Sequence, residues 1–140
     1  MSDEQECPGA TIEAIAHLAS KSQTLPIEAL AAGDVLTVQT QSGSRYSFRL
    51  VNPKSRLAID VSERPPFWDV NEEVYVNGSL LGESSISLGN VLVCRNLEVI
   101  HAKRRDQTGL PLRMITSLVQ AVSVNGVQLL PPPLSAQLKS

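Results

Sequence analysis

Aromatic side chains are scarce in this chain, at 4% of residues with a single tryptophan, which argues against a single-strand nucleic-acid binder built on stacked rings. Histidine is as thin: His17 and His101 stand far apart, neither has a Cys or His at ligand spacing, and no metal site is expected. The longest apolar runs are broken by Ser, Asn or Gln and fall short of the roughly 20 residues that cross a bilayer, so a soluble protein without membrane contact is expected. An excess of one charge is missing too. There are 12 basic residues against 14 acidic ones, and three of the latter, Asp3, Glu4 and Glu6, crowd into the start. The rest is near neutral and offers no strong field to nucleic acid or an anionic membrane. The opening residues are acidic and polar, the reverse of a secretory signal, so a cytoplasmic location is expected.

Cysteine is limited to Cys7 and Cys94. The two could pair, but in a reduced cytoplasm two free thiols are expected. Cys94 alternates with Val93 and Arg95 in an expected strand, where a lone Cys is commonly core filler, and no base or nucleophile elbow accompanies either thiol. The stretch Gly82 to Gly89 has no lysine and carries Glu83 where a phosphate would sit, so it reads as a linker between strands. No cofactor is expected.

What is present is period-two alternation. Val35 to Gln41 and Arg45 to Val51 flank Ser42-Gly43-Ser44, with Tyr46, Phe48 and Leu50 on one face and Arg45, Ser47 and Arg49 on the other. Leu57, Ile59 and Val61 then alternate with Arg56, Ala58 and Asp60 in a third strand. Asn77-Gly78 and Asn125-Gly126, each between apolar strand residues, predict two type I′ hairpins, because Asn and Gly tolerate the positive φ that turn requires. Gly89-Asn90 predicts a type II′ turn. Leu97, Val99 and His101 alternate, Lys103 to Pro111 reads as a polar loop, and Met114 to Val124 is long enough to bend, with Thr116, Leu118, Val122 and Val124 as inward positions. Helix is confined to the front: Ile12, Ile15, Ala16, Leu18 and Ala19 follow Thr11 at helical spacing, and a single turn on Ile27 and Leu30 ends at Gly33.

The sum is an all-β chain: a small antiparallel, partly closed β-barrel of about eight short strands with one N-terminal amphipathic helix, the alternative being a β-sandwich. A disordered acidic leader (1–9), one barrel domain (10–130) and a flexible Pro-rich tail (131–140) are expected. Leu30-Ala31-Ala32-Gly33-Asp34-Val35-Leu36, the Tyr46 and Phe48 strand and Thr116-Ser117-Leu118-Val119-Gln120 together resemble a loose class of small bacterial β-barrel proteins that share a fold and no agreed activity. The resemblance implies the fold alone.

Three functions are weighed. The first is a non-catalytic interaction or scaffold module, self-associating or binding a protein partner, with Phe67 and Trp68 beside Pro65-Pro66 as its contact; the same rings can instead fold inward and plug the barrel. The second is an RNA or single-stranded DNA binder using Arg45, Arg49 and Arg56 with Lys103, Arg104 and Arg105. The parity of the second strand opposes it, since Tyr46 and Phe48 point away from Arg45 and Arg49. The third is an enzyme whose site lies in a barrel mouth, with Asp34, Asp60 or Glu98 as its carboxylates. Elimination favours the first, so no catalytic residue is assigned.

Overall fold

The computed structural model describes residues 24–63, 68–82 and 85–131. The acidic leader, the front helix, Phe67 and the tail beyond Pro131 lie outside the described residues.

Ten strands follow one another: β1 Thr24–Pro26, β2 Val35–Thr40, β3 Arg45–Asn52, β4 Leu57–Asp60, β5 Glu73–Leu80, β6 Ile86–Leu88, β7 Asn90–Leu92, β8 Asn96–Arg105, β9 Pro111–Val124 and β10 Val127–Leu130. Six of them close a ring of antiparallel ladders, β2 to β3, β4, β5, β8, β9 and back to β2. Closure makes the molecule a barrel and not a sandwich. β6 extends the ladder on β5, β10 extends the one on β9, and β1 pairs with β7 as a separate two-stranded piece. The turn Ile27–Ala29 is a short 3-10 helix with Ile27 fully buried.

Alternation decides which side chains fill the interior. Leu36, Val38, Phe48, Val74, Val76, Leu97, Val99, Val119 and Val122 are all fully buried, a filled aliphatic centre. Each such side chain stabilises the fold by about 1.5–3 kcal/mol relative to its exposed state. Tyr46 packs against this core from the same face as Phe48 and Leu50, while Arg45 and Arg49 point outward.

Several local expectations change. Asn77-Gly78 does not turn the chain; it lies inside β5, where a bulge between Val76 and Gly78 shifts the register against β8. Gly is needed there because a Cβ would stand 2.2 Å from the Ser87 carbonyl oxygen. Gly89-Asn90 does not close a hairpin: Gly89 alone separates β6 from β7, and the two strands pair with β5 and β1 and not with each other. In β4 the buried residues are Ala58 and Asp60, so Leu57 and Ile59 face outward. Lys103, Arg104 and Arg105 are the end of β8 and not a loop, the reversal being confined to the turn that Asp106 caps through Thr108 and Leu110. The ladders of β9 carry the register breaks expected of so long a strand, and these move the inward position from Leu118 to Val119.

Asn125-Gly126 does form its hairpin, with φ of 53° and 85°. Asn125 also accepts a hydrogen bond from the Val35 amide at 2.9 Å and donates one to Asp34 at 3.0 Å, which ties the β9–β10 turn to the start of β2.

Candidate functional site

Trp68 lies in the connection between β4 and β5, and its ring is 3% exposed. Its indole N–H donates to Asp60 Oδ2 at 2.9 Å, while Asp60 Oδ1 accepts from the Ser62 amide and hydroxyl at 3.0 and 2.7 Å. The ring stands edge-on to His101, with centroids 5.6 Å apart. His101 Nδ1 accepts from the backbone amides of Lys103 and Arg104 at 3.0 and 2.7 Å. That places the ring proton on Nε2, which faces Glu72 Oε1. Arg104 in turn donates to both oxygens of Glu72, at 2.8 and 2.7 Å, and to Asp69 at 3.2 Å. Arg104 first, and His101 after it, hold the Glu72 carboxyl down to about 2 from the ordinary 4.5. Every polar atom of His101 is engaged within the protein, so the residue acts as a brace between β8 and the β4–β5 connection.

The other carboxylates weighed from sequence are used locally and do not converge. Asp34 accepts from the Ala31 amide and then from Asn125, which lower its pKa. Asp60 is buried inside the ring, whereas Glu98 binds Asn77 and Arg113 on the outer side of β8. Among the described residues no group of three or more His, Cys, Asp or Glu is set to hold a metal ion.

The six basic candidates separate into two places. Arg45 and Arg49 are exposed on the outer face of β3. Arg56 immediately precedes β4, with φ of 65°, its chain against Gly89 and its Nε buried without a hydrogen-bond partner. Lys103, Arg104 and Arg105 belong to β8, three strands from β3 in the closed order. Lys103 reaches Glu73 at 3.7 Å, and Arg104 is engaged by Glu72 and Asp69. The two groups therefore sit on different walls, and one of them is largely neutralised.

A surface that the strand patterns did not reveal runs across four staves of the ring. Leu57 of β4 opposes Tyr75 of β5, Tyr75 opposes Ile100 of β8, and Ile100 opposes Arg113 of β9. The inward neighbours of these residues are buried, so by alternation the row faces outward. Ile59 and Ile115 extend it on either side, Ile115 at 43% exposure. The Lys103 to Glu73 and Arg113 to Glu98 ion pairs edge the apolar row. The only local signal was the outward parity of Leu57 and Ile59, readable once Asp60 is known to be buried.

Cys94 corrects two expectations. It sits in the turn between β7 and β8 with φ of 69°, not in a strand, and it is disulfide-bonded, not a free thiol. Beside it opens a cleft of about 250 Å³ lined by Leu80, Gly82, Cys94, Arg95, Asn96 and Leu118. A second, more polar hollow of about 400 Å³ lies between Gln39, Gly43, Arg45 and Glu63.

These features define a closed, filled, six-stranded antiparallel barrel that carries its distinguishing chemistry on its outside. No protein-family model, no curated protein and no solved structure matches the chain.

Proposed function

We propose that this protein is a non-catalytic scaffold module that self-associates through the outer wall formed by β4, β5, β8 and β9. The observation that carries this reading is the outward row Leu57, Tyr75 and Ile100 with Ile59 and Ile115 around it. An apolar centre with a charged rim is the anatomy of a protein contact, and a strand-borne patch of this kind is suited to a two-fold contact between copies. Trp68 supports the fold under this reading, because its ring is turned inward.

Light scattering across a concentration series tests it. The wild type is expected to form a dimer or larger species, and Tyr75→Glu with Ile100→Glu is expected to weaken that association at least about tenfold, about 1.4 kcal/mol, with an unchanged far-UV spectrum. A wild type that is monomeric throughout, or an association indifferent to both substitutions, overturns it.

The second reading, nucleic-acid binding, draws on Arg45 and Arg49, which are exposed and make no ion pair among the described residues. It requires single-stranded oligonucleotide binding that persists near about 200 mM salt and weakens when Arg45, Arg49 and Arg56 become Ala. Absence of salt-dependent binding removes it.

A further inference from the structure

We infer that the polar hollow between Gln39, Gly43, Arg45 and Glu63 binds a small zwitterion of the α-amino-acid class, with its carboxylate on Arg45, its ammonium on Glu63 and a polar side chain on Gln39. The site shares no residue with the outer row, so it stands or falls apart from self-association.

The hollow measures about 400 Å³, which is within the range of small-molecule sites. Gln39, Arg45 and Glu63 all line it, and among the described residues none of these side chains is engaged by a hydrogen bond or an ion pair. The three are complementary, because a guanidinium only donates, a carboxylate only accepts and a carboxamide does both. Opposite charges that share a hollow without closing on each other suit a ligand that bears both. An exposed ion pair is worth little in water, so a bridging ligand displaces almost nothing. A simple anion would meet the like charge of Glu63, and a simple cation that of Arg45, which selects against either alone.

The backbone fixes where these groups start. The β2–β3 register sets Gln39 opposite Arg45. After β4 the chain stays beside β3, because the Val61 amide donates to the Ser47 carbonyl at 2.9 Å and the Ser62 hydroxyl accepts from the Ser47 amide at 3.0 Å. Ser62 is held in turn by the buried Asp60 at 2.7 Å, so Glu63 departs from an anchored residue. At the other end, hydroxyls brace the β2–β3 turn, with Ser42 Oγ 3.1 Å from Thr40 and 2.9 Å from Ser117. A Cβ at Gly43 would meet nothing within 4 Å, so the turn leaves the mouth clear. Such preorganisation lowers the ordering cost of binding, and three polar contacts in a hollow open to water correspond to a Kd on the order of 1 mM. Because Gln39 both donates and accepts, a ligand carboxamide pairs with it in both directions, which makes L-glutamine the probe.

Amide and guanidinium NMR of the nitrogen-labelled full chain, titrated with L-glutamine, tests the inference. Saturable shifts are expected at Gln39, Gly43, Arg45 and Glu63 and at the Arg45 Nε–H, while Tyr75 and Ile100 stay still. Acetate, methylammonium and inorganic phosphate are each expected to bind at least about tenfold more weakly than L-glutamine. Arg45→Gln and Glu63→Gln, both at exposed positions and so expected to keep the far-UV spectrum, should each weaken L-glutamine at least about tenfold. Glu63→Gln should also tighten acetate, because the like charge is gone, a change that a merely structural role for Glu63 would not produce. Absence of shifts up to about 20 mM L-glutamine, acetate or phosphate binding as tightly as L-glutamine, or an affinity indifferent to Glu63→Gln overturns it; the second of these outcomes would make the hollow a plain anion site at Arg45.

Discussion

Asp60 has no exposure to solvent, yet both of its oxygens are satisfied by Trp68 and Ser62. Removing one donor from such a group leaves part of its desolvation uncompensated. Trp68→Phe keeps most of the ring volume and loses the N–H, so it is expected to destabilise the fold by about 1–3 kcal/mol in urea unfolding followed by circular dichroism. Glu72 sits at the other end of the same network and yields a pH prediction. Its folded pKa, about 2, lies below the ordinary 4.5, so its contribution is present above about 4.5 and is lost as pH falls toward 2. Glu72→Gln is therefore expected to be less stable than wild type at neutral pH, with the gap closing across that acid range. Equal acid unfolding curves for the two proteins at every pH would contradict the assignment. His101, read from the sequence as a lone histidine in an alternating set, is buried in that set with both ring nitrogens engaged.

Elements whose signals are local were legible, and those set by distant partners were not. The β2–β3 hairpin followed from Ser42-Gly43-Ser44 and the opposed faces of β3, and the β9–β10 hairpin from Asn125-Gly126, because turn chemistry acts over neighbouring residues. Asn77-Gly78 carried the same dipeptide and meant something else: glycine is needed there for the close approach of β6. Gly78→Ala tests that cause. With its Cβ 2.2 Å from the Ser87 oxygen and 2.9 Å from the Gly89 nitrogen, it is expected to cost about 3 kcal/mol. Gly126→Ala, which meets nothing within 4 Å and suffers only from its φ, should cost about 1 kcal/mol. Comparable losses in thermal unfolding would show that φ, and not contact with β6, is the constraint at Gly78. The outer row was invisible for a different reason: it exists only through the registers of β4, β5, β8 and β9, which no local pattern encodes. Likewise the disulfide of Cys94 depends on which groups the fold brings beside a turn, and the spacing of two cysteines does not contain that.

At the scale of the whole molecule, ring closure pairs both sides of each of the six strands along at least part of its length, which limits the open ladders that invite aggregation. It also distributes the exterior. Arg45 and Arg49 occupy one side, the Leu57, Tyr75 and Ile100 row another, and the cleft at Cys94 a third place near the β7–β8 turn. The interior is packed with aliphatic side chains, which is why the proposed contact is sought among these outer features.

The staves of this hoop are unequal. β4 has only four residues, and its overlap with β5 runs from Leu57 to Ile59 against Tyr75 to Glu73, whereas β9 has fourteen. A closed circuit cannot fray from a side; it has to part at a seam, and the slenderest seam lies between β4 and β5. Beside that seam, Trp68 and Glu72 of the connection after β4 join Asp60 at the end of β4 to His101 and Arg104 of β8, so the polar network bridges the ring where its ladder is shortest.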